Sequence, residues 1–147
     1  MCKMAHLPLS HLGLTVMVTK GVKQLCAEAE EVIETMTVAE VMKAKDDPNV
    51  ELVDIRDVRE LWRDGAIPGA WHVPRGMLEF WIDPDSPYAK ERFQSGKKFI
   101  IFCAGGLRSA LAGRAAHDMG LRPVAHMRGG FGEWKTAGYP VETVEKK

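Results

Sequence analysis

Hydrophobic positions along this chain change period repeatedly, and each change marks an element. After Gly21, residues Val22, Leu25, Cys26, Ala29, Val32, Ile33 and Met36 recur at helical steps. Glu28, Glu30, Glu31 and Glu34 take the opposite face, which predicts an amphipathic helix over 22–36. Thr37 then opens T-V-A-E, a capping box in which the Thr37 and Glu40 side chains satisfy each other's backbone amides. That helix runs to the turn Asp46-Asp47-Pro48-Asn49. Val50 to Ile55 reads as a short strand. Asp57 and Glu60 repeat the capping pattern, predicting a helix from Asp57 to Arg63 closed by Gly65. Ile67-Pro68-Gly69 is a turn and Ala70 to Val73 a second strand. Met77, Leu78, Phe80 and Trp81 suit a helical turn or two, and Asp83 to Pro87 is loop.

The run FIIF, residues 99 to 102, is apolar without alternation, as in a strand covered on both faces of a parallel sheet. Leu107, Ala110, Leu111, Ala115 and Met119 return to helical spacing, stopped by Gly120. Val124 to Met127 give another strand, Gly129-Gly130 a tight turn, and Phe131 to Thr136 a last helix ended by Gly138-Tyr139-Pro140. Strands alternating with helices predict an α/β fold with a largely parallel sheet and no domain boundary after residue 37.

Composition narrows the function classes. A chain of 147 residues suits one domain with a single core. Twenty basic residues balance twenty acidic ones, against the basic excess of a phosphate-tracking nucleic-acid binder. No apolar run approaches the ~20 residues of a membrane span. Neither nucleic acid nor membrane is therefore expected as a partner. The N-terminal MCKMAHLPLSHLGLTVMV imitates a signal peptide, but His6, Pro8 and His11 interrupt it, and residues 1–36 read as an extension. Cys2, Cys26 and Cys103 form no CxxC pair and the five histidines no ligand pattern, so no metal is expected. Reduced thiols in the cytoplasm are the simplest setting.

One segment carries chemistry: Cys103-Ala104-Gly105-Gly106-Leu107-Arg108-Ser109, between the FIIF strand and a helix. Ligands of open parallel sheets bind beyond the carboxyl ends of strands. Amides at a helix start favour an anion there, and cysteines in such electropositive places tend to be reactive. Gly105 and Gly106 allow successive N–H groups to converge, and Arg108 adds a planar fork of donors. Buried inert packing is the ordinary fate of a free cysteine, and it is the reading for Cys26. The glycines and arginine favour an activated thiol at Cys103.

Three segments in order resemble the rhodanese-like sulfurtransferase domain. They are LVDIRDVRELWRDGAIPGAWHV (52–73), CAGGLRSALAGRAAHDMG (103–120) and VAHMRGGFGEWKTAGYPVE (124–142). The resemblance places the domain over 37–142, with a short tail at 143–147. It implies a small five-stranded, mostly parallel sheet flanked by helices, with Cys103 as the persulfide-forming nucleophile. Residues Ala104, Gly105, Gly106, Leu107, Arg108 and Ser109 would cradle the sulfur, and Asp54 and Arg56 would brace the site from behind. Ala66 departs from a histidine common in the family, a position of packing. His72, Glu79 and Trp81 are either pocket rim or packing.

Four residues separate Cys103 from Arg108, whereas phosphatase relatives of the family have five. The shorter loop suits one sulfur atom better than a phosphate, and no general acid for an alkoxide leaving group is evident near the motif. The expected reaction passes a sulfane sulfur from a donor such as thiosulfate, through a Cys103 persulfide, to cyanide or a thiol, with no cofactor. The alternative is a persulfide carrier relaying sulfur between partner proteins, with the acidic helix as docking surface.

Overall fold

A computed structural model describes residues 17–147. Cys2, His6, His11 and most of the signal-like segment lie outside the described residues. Five strands form one all-parallel sheet: β1 (Glu34–Met36), β2 (Val50–Asp54), β3 (Trp71–His72), β4 (Lys98–Phe102) and β5 (Val124–Met127), in the order β1-β5-β4-β2-β3. Six α-helices accompany it among the described residues: α1 (Val22–Val32), α2 (Val38–Ala44), α3 (Val58–Asp64), α4 (Leu78–Ile82), α5 (Leu107–Asp118) and α6 (Gly130–Thr136). None is long and apolar enough to cross a membrane.

The central strand explains the layering. Side chains alternate across a strand, so Phe99, Ile101 and Cys103 join Ile33, Leu78, Ala112 and Ala116 in a core on one face. Ile100 and Phe102 point the other way, into a core with Val38, Val41, Phe131 and Trp134. Both faces are covered, which is why FIIF is apolar without a break.

Both capping boxes form. Thr37 Oγ1 accepts from Glu40 N–H at 3.1 Å while Glu40 accepts from Thr37 N–H at 2.8 Å. Asp57 and Glu60 do the same at the start of α3, and Gly65 closes that helix at φ 91°. The expected helix over 22–36 is corrected: α1 ends at Val32, and Ile33 is extended. Residues 34–36 are instead an edge strand whose Glu34, Thr35 and Met36 pair with Ala125, His126 and Met127. One buried residue in three fits a final helical turn as well as a short strand, and only pairing with β5 decides between them. The strand expected at Ala70–Val73 shortens to Trp71–His72.

Candidate active site

Cys103 follows the last residue of β4, the central strand of the five, at its carboxyl end. Its side chain is only 1% exposed. The Sγ atom accepts two backbone hydrogen bonds, from Gly106 N–H at 3.2 Å and from Ser109 N–H at 3.3 Å. Gly106 caps α5, and Ser109 lies in its first turn. The sulfur thus takes amides that a helix start leaves unpaired.

The loop can turn this tightly because of glycine at one position. Gly106 has φ 102°, and a Cβ there would lie 3.2 Å from the Gly129 amide nitrogen. Gly105 has neither a left-handed φ nor any atom that a Cβ would meet within 4 Å. The double glycine therefore divides: Gly106 is required by backbone conformation, while Gly105 is not. Of the expected cradle, the amides of Gly106 and Ser109 reach the resting sulfur; those of Ala104, Gly105, Leu107 and Arg108 do not. The Leu107 side chain is exposed at the loop's outer rim.

A second pair of glycines supports the loop from below. Phe131 N–H donates to the Cys103 carbonyl at 2.8 Å and Gly132 N–H to the Ala104 carbonyl at 3.0 Å. Gly130, at φ 58°, lies so close beneath these carbonyls that any side chain would run into them. Gly129-Gly130 is thus the floor of the site as well as a turn.

Asp54 and Arg56 act on that floor. Both are buried, joined by Arg56 Nη2 to Asp54 Oδ2 at 2.8 Å and Nε to Oδ1 at 3.0 Å. Arg56 Nη2 also donates to the Gly65 carbonyl at 2.9 Å, and its guanidinium lies 4.1 Å from the Phe131 ring centroid. Phe131 N–H in turn holds the Cys103 carbonyl, so the ion pair reaches Cys103 through one aromatic residue. His72 Nε2 lies 2.7 Å from the Arg56 carbonyl oxygen. Glu79 pairs with Arg75 at 2.8 Å, and Trp81 stacks near Trp71 with Lys90 over its ring. For Trp81 the contacts are those of packing.

Arg108 does not stand free at the mouth. Its Nη1 and Nη2 donate to Glu60 Oε2 and Oε1 at 2.9 and 3.1 Å. The Glu60 hydrogen bonds push the guanidinium pKa further up, with a smaller contribution from the Cys103 sulfur. Arg108 in turn holds the Glu60 carboxyl below its ordinary value. A carboxylate therefore does stand near the motif, contrary to the expectation from sequence. Held ionised by Arg108, it is a poor proton donor. Its capping role at α3 had absorbed the only sequence signal it carried.

Sequence reasoning also missed a hydrogen-bonded chain behind Ser109 that runs from the buried core to the surface. Ser109 Oγ lies 2.9 Å from His126 Nδ1, and His126 Nε2 lies 2.8 Å from Glu30 Oε2. A histidine inside the apolar strand VAHM was the available signal.

A thiol held by convergent amides, at the end of a central parallel strand, defines the class, and comparison with known proteins agrees. The family model of the rhodanese-like domain matches residues 37–137, and the chain belongs to that family. A solved structure of a protein of unknown function from Rhodopseudomonas palustris, described as a possible tyrosine phosphatase, is 55% identical with a TM-score of 0.85. That match covers 88% of this chain and all of the other. Thiosulfate sulfurtransferase from Pseudomonas aeruginosa is 27% identical with a TM-score of 0.61, over 82% of this chain and 22% of that one. Among curated proteins, the tRNA uridine(34) hydroxylase of Cronobacter sakazakii is 29% identical over 135 residues, 88% of this chain. This chain spans 37% of that protein's length. The mouse thiosulfate sulfurtransferase/rhodanese-like domain-containing protein 3 is 24% identical over 106 residues, covering 69% of this chain and 68% of that protein.

Proposed function

We propose that this protein is a sulfurtransferase that carries a sulfane sulfur on Cys103. The observation behind this reading is the pair of amides, from Gly106 and Ser109, directed at the Cys103 sulfur. The Cys103 thiolate attacks the outer sulfur of thiosulfate, the S–S bond to the sulfonate breaks, and sulfite leaves with the bonding pair. A persulfide anion remains, and preorganised amides at the start of α5 stabilise its charge. A thiol or cyanide then attacks the terminal sulfur and releases the Cys103 thiolate, a double displacement with ping-pong kinetics. No metal or organic cofactor enters this scheme.

The tyrosine phosphatase activity suggested for the Rhodopseudomonas protein is less well supported for this chain. Only four residues separate Cys103 from Arg108, and the thiol is almost fully enclosed. Arg108, the group that would meet phosphate oxygens, is already engaged by Glu60. A second reading is a relay within a larger reaction, favoured by the likeness to the tRNA uridine(34) hydroxylases. In that reading Cys103 exchanges sulfur with a partner protein in the cytoplasm.

A donor panel separates these readings. Thiosulfate, glutathione persulfide and an aryl phosphate are offered to the protein and to Cys103→Ser. Cys103-dependent sulfur transfer from thiosulfate, with no phosphate release, is expected. Transfer from the persulfide alone would favour the relay, and Cys103-dependent phosphate release would overturn sulfur transfer as the main activity.

A further inference from the structure

Helix α1 lies outside the part of the chain that the family model matches, yet it packs along α5 and reaches its first turn from two positions one helical turn apart, directly from Cys26 and through His126 from Glu30. The Cys26 Sγ donates to the Leu107 carbonyl at 3.5 Å. Glu30 meets His126 Nε2 at 2.8 Å, and His126 Nδ1 meets Ser109 Oγ at 2.9 Å. Ser109 is the residue whose N–H donates to the Cys103 sulfur. Ser109 and His126 are buried, whereas the Glu30 side chain is 36% exposed.

The proton positions follow from the chemistry of the groups. A carboxylate only accepts, so His126 Nε2 must carry a proton and donate it to Glu30. Burial holds the His126 pKa below its ordinary value, so the ring is neutral near pH 7. In a neutral ring with Nε2 protonated, Nδ1 is an acceptor, and the Ser109 hydroxyl donates to it. The groups facing the ring are Glu30 from α1, Ser109 from α5, and the Arg128 charge beyond the end of its own strand.

We infer that Glu30, His126 and Ser109 form a positioning chain through which α1 holds the sulfur cradle: Glu30 fixes the His126 tautomer, His126 anchors the Ser109 hydroxyl, and Ser109 keeps its amide on Cys103. Glu30 and His126 touch no sulfur and act through Ser109. The inference rests on Cys103 being the nucleophile, but not on which donor loads it.

The test is the pH profile of Cys103 alkylation by iodoacetamide in the full chain, read by peptide mass with no sulfur donor present. Glu30→Ala should slow alkylation at pH 7 by about three- to tenfold, the worth of a weakened amide hydrogen bond, and move the profile to higher pH. Glu30→Gln, whose side-chain oxygen still accepts from Nε2–H, should stay within about twofold of the parent. Nitrogen NMR of the His126 ring should show protonated Nε2 in the parent and in Glu30→Gln, and a mixture of tautomers in Glu30→Ala. Ser109→Ala retains the amide but not the hydroxyl and should shift alkylation as Glu30→Ala does. A parent-like profile in folded Glu30→Ala or in folded Ser109→Ala overturns the inference. Because no donor is used, absence of thiosulfate turnover would leave this result standing and count only against the sulfurtransferase reading.

Discussion

Arg108 and Glu60, forty-eight positions apart, meet at the mouth of the Cys103 loop in a two-pronged ion pair with N–O distances of 2.9 and 3.1 Å. Two planar, charged groups matched in this way form a strong, directional contact. Glu60 also caps α3 through the Asp57 amide, so one carboxylate fixes a helix start and restrains the arginine of the Cys103 loop. Glu60 takes two of the five guanidinium N–H donors, so an anionic donor shares this arginine with a carboxylate that already offsets its charge.

That sharing sets opposite expectations for two variants. Arg108→Ala removes a charge-assisted contact worth about 1.5–3 kcal/mol, so kcat/KM for thiosulfate should fall about ten- to hundredfold. Arg108→Lys should recover part of it, since a point charge lacks the planar fork. Glu60→Gln frees the guanidinium and should lower KM for thiosulfate, while an uncharged organic trisulfide should respond little to either change. Steady-state kinetics with both donors check this, and equal losses for both donors would assign Arg108 to shaping the loop.

Burial of the Asp54–Arg56 pair makes it costly to break. Both side chains are nearly inaccessible, at 2% and 1%. Arg56→Met strands the Asp54 carboxylate and should cost about 3–5 kcal/mol of stability by urea denaturation. Replacing both residues by apolar ones should restore much of that loss. Activity should not return with stability, because Phe131 then lacks the cation that seats it beneath Cys103.

His126 gives the fold a pH dependence of definite sign. Its folded pKa lies below the ordinary 6.5, chiefly through desolvation and against the opposing pull of Glu30. As pH falls through about 6.5 the unfolded chain takes up a proton that the folded chain refuses, so stability declines with acidity until the folded pKa is reached. Thermal melts from pH 8 to pH 5 should show this decline, and His126→Asn should flatten the portion just below 6.5.

Much of this fold was legible because its signals are local. The unbroken FIIF run, the two capping boxes and the turn glycines each depend on a few neighbouring residues, and those elements stand where the pattern places them. The boundary of α1 was not legible, since Glu34–Met36 become a strand only by pairing with β5. In the site, Cys103 and its loop could be read from one segment, whereas Glu60, His126 and Glu30 come from three distant elements. Their contacts exist only after folding. Glu60 was further hidden by doing a second, local job as a cap. Gly129-Gly130 was visible as a turn, but its closeness to the Cys103 carbonyl required the packing of β5 and α6 against the loop.

The central claim is that Cys103 alone carries the transferred sulfur, and intact-protein mass spectrometry tests it most directly. After incubation with thiosulfate or glutathione persulfide, the protein should gain the mass of one sulfur atom, located by peptide mapping to Cys103 and removed by cyanide. Cys103→Ser should gain nothing, and a Cys26→Ser variant should load as the parent does. An adduct that persists in Cys103→Ser, or no adduct on the parent with either donor, would contradict the account.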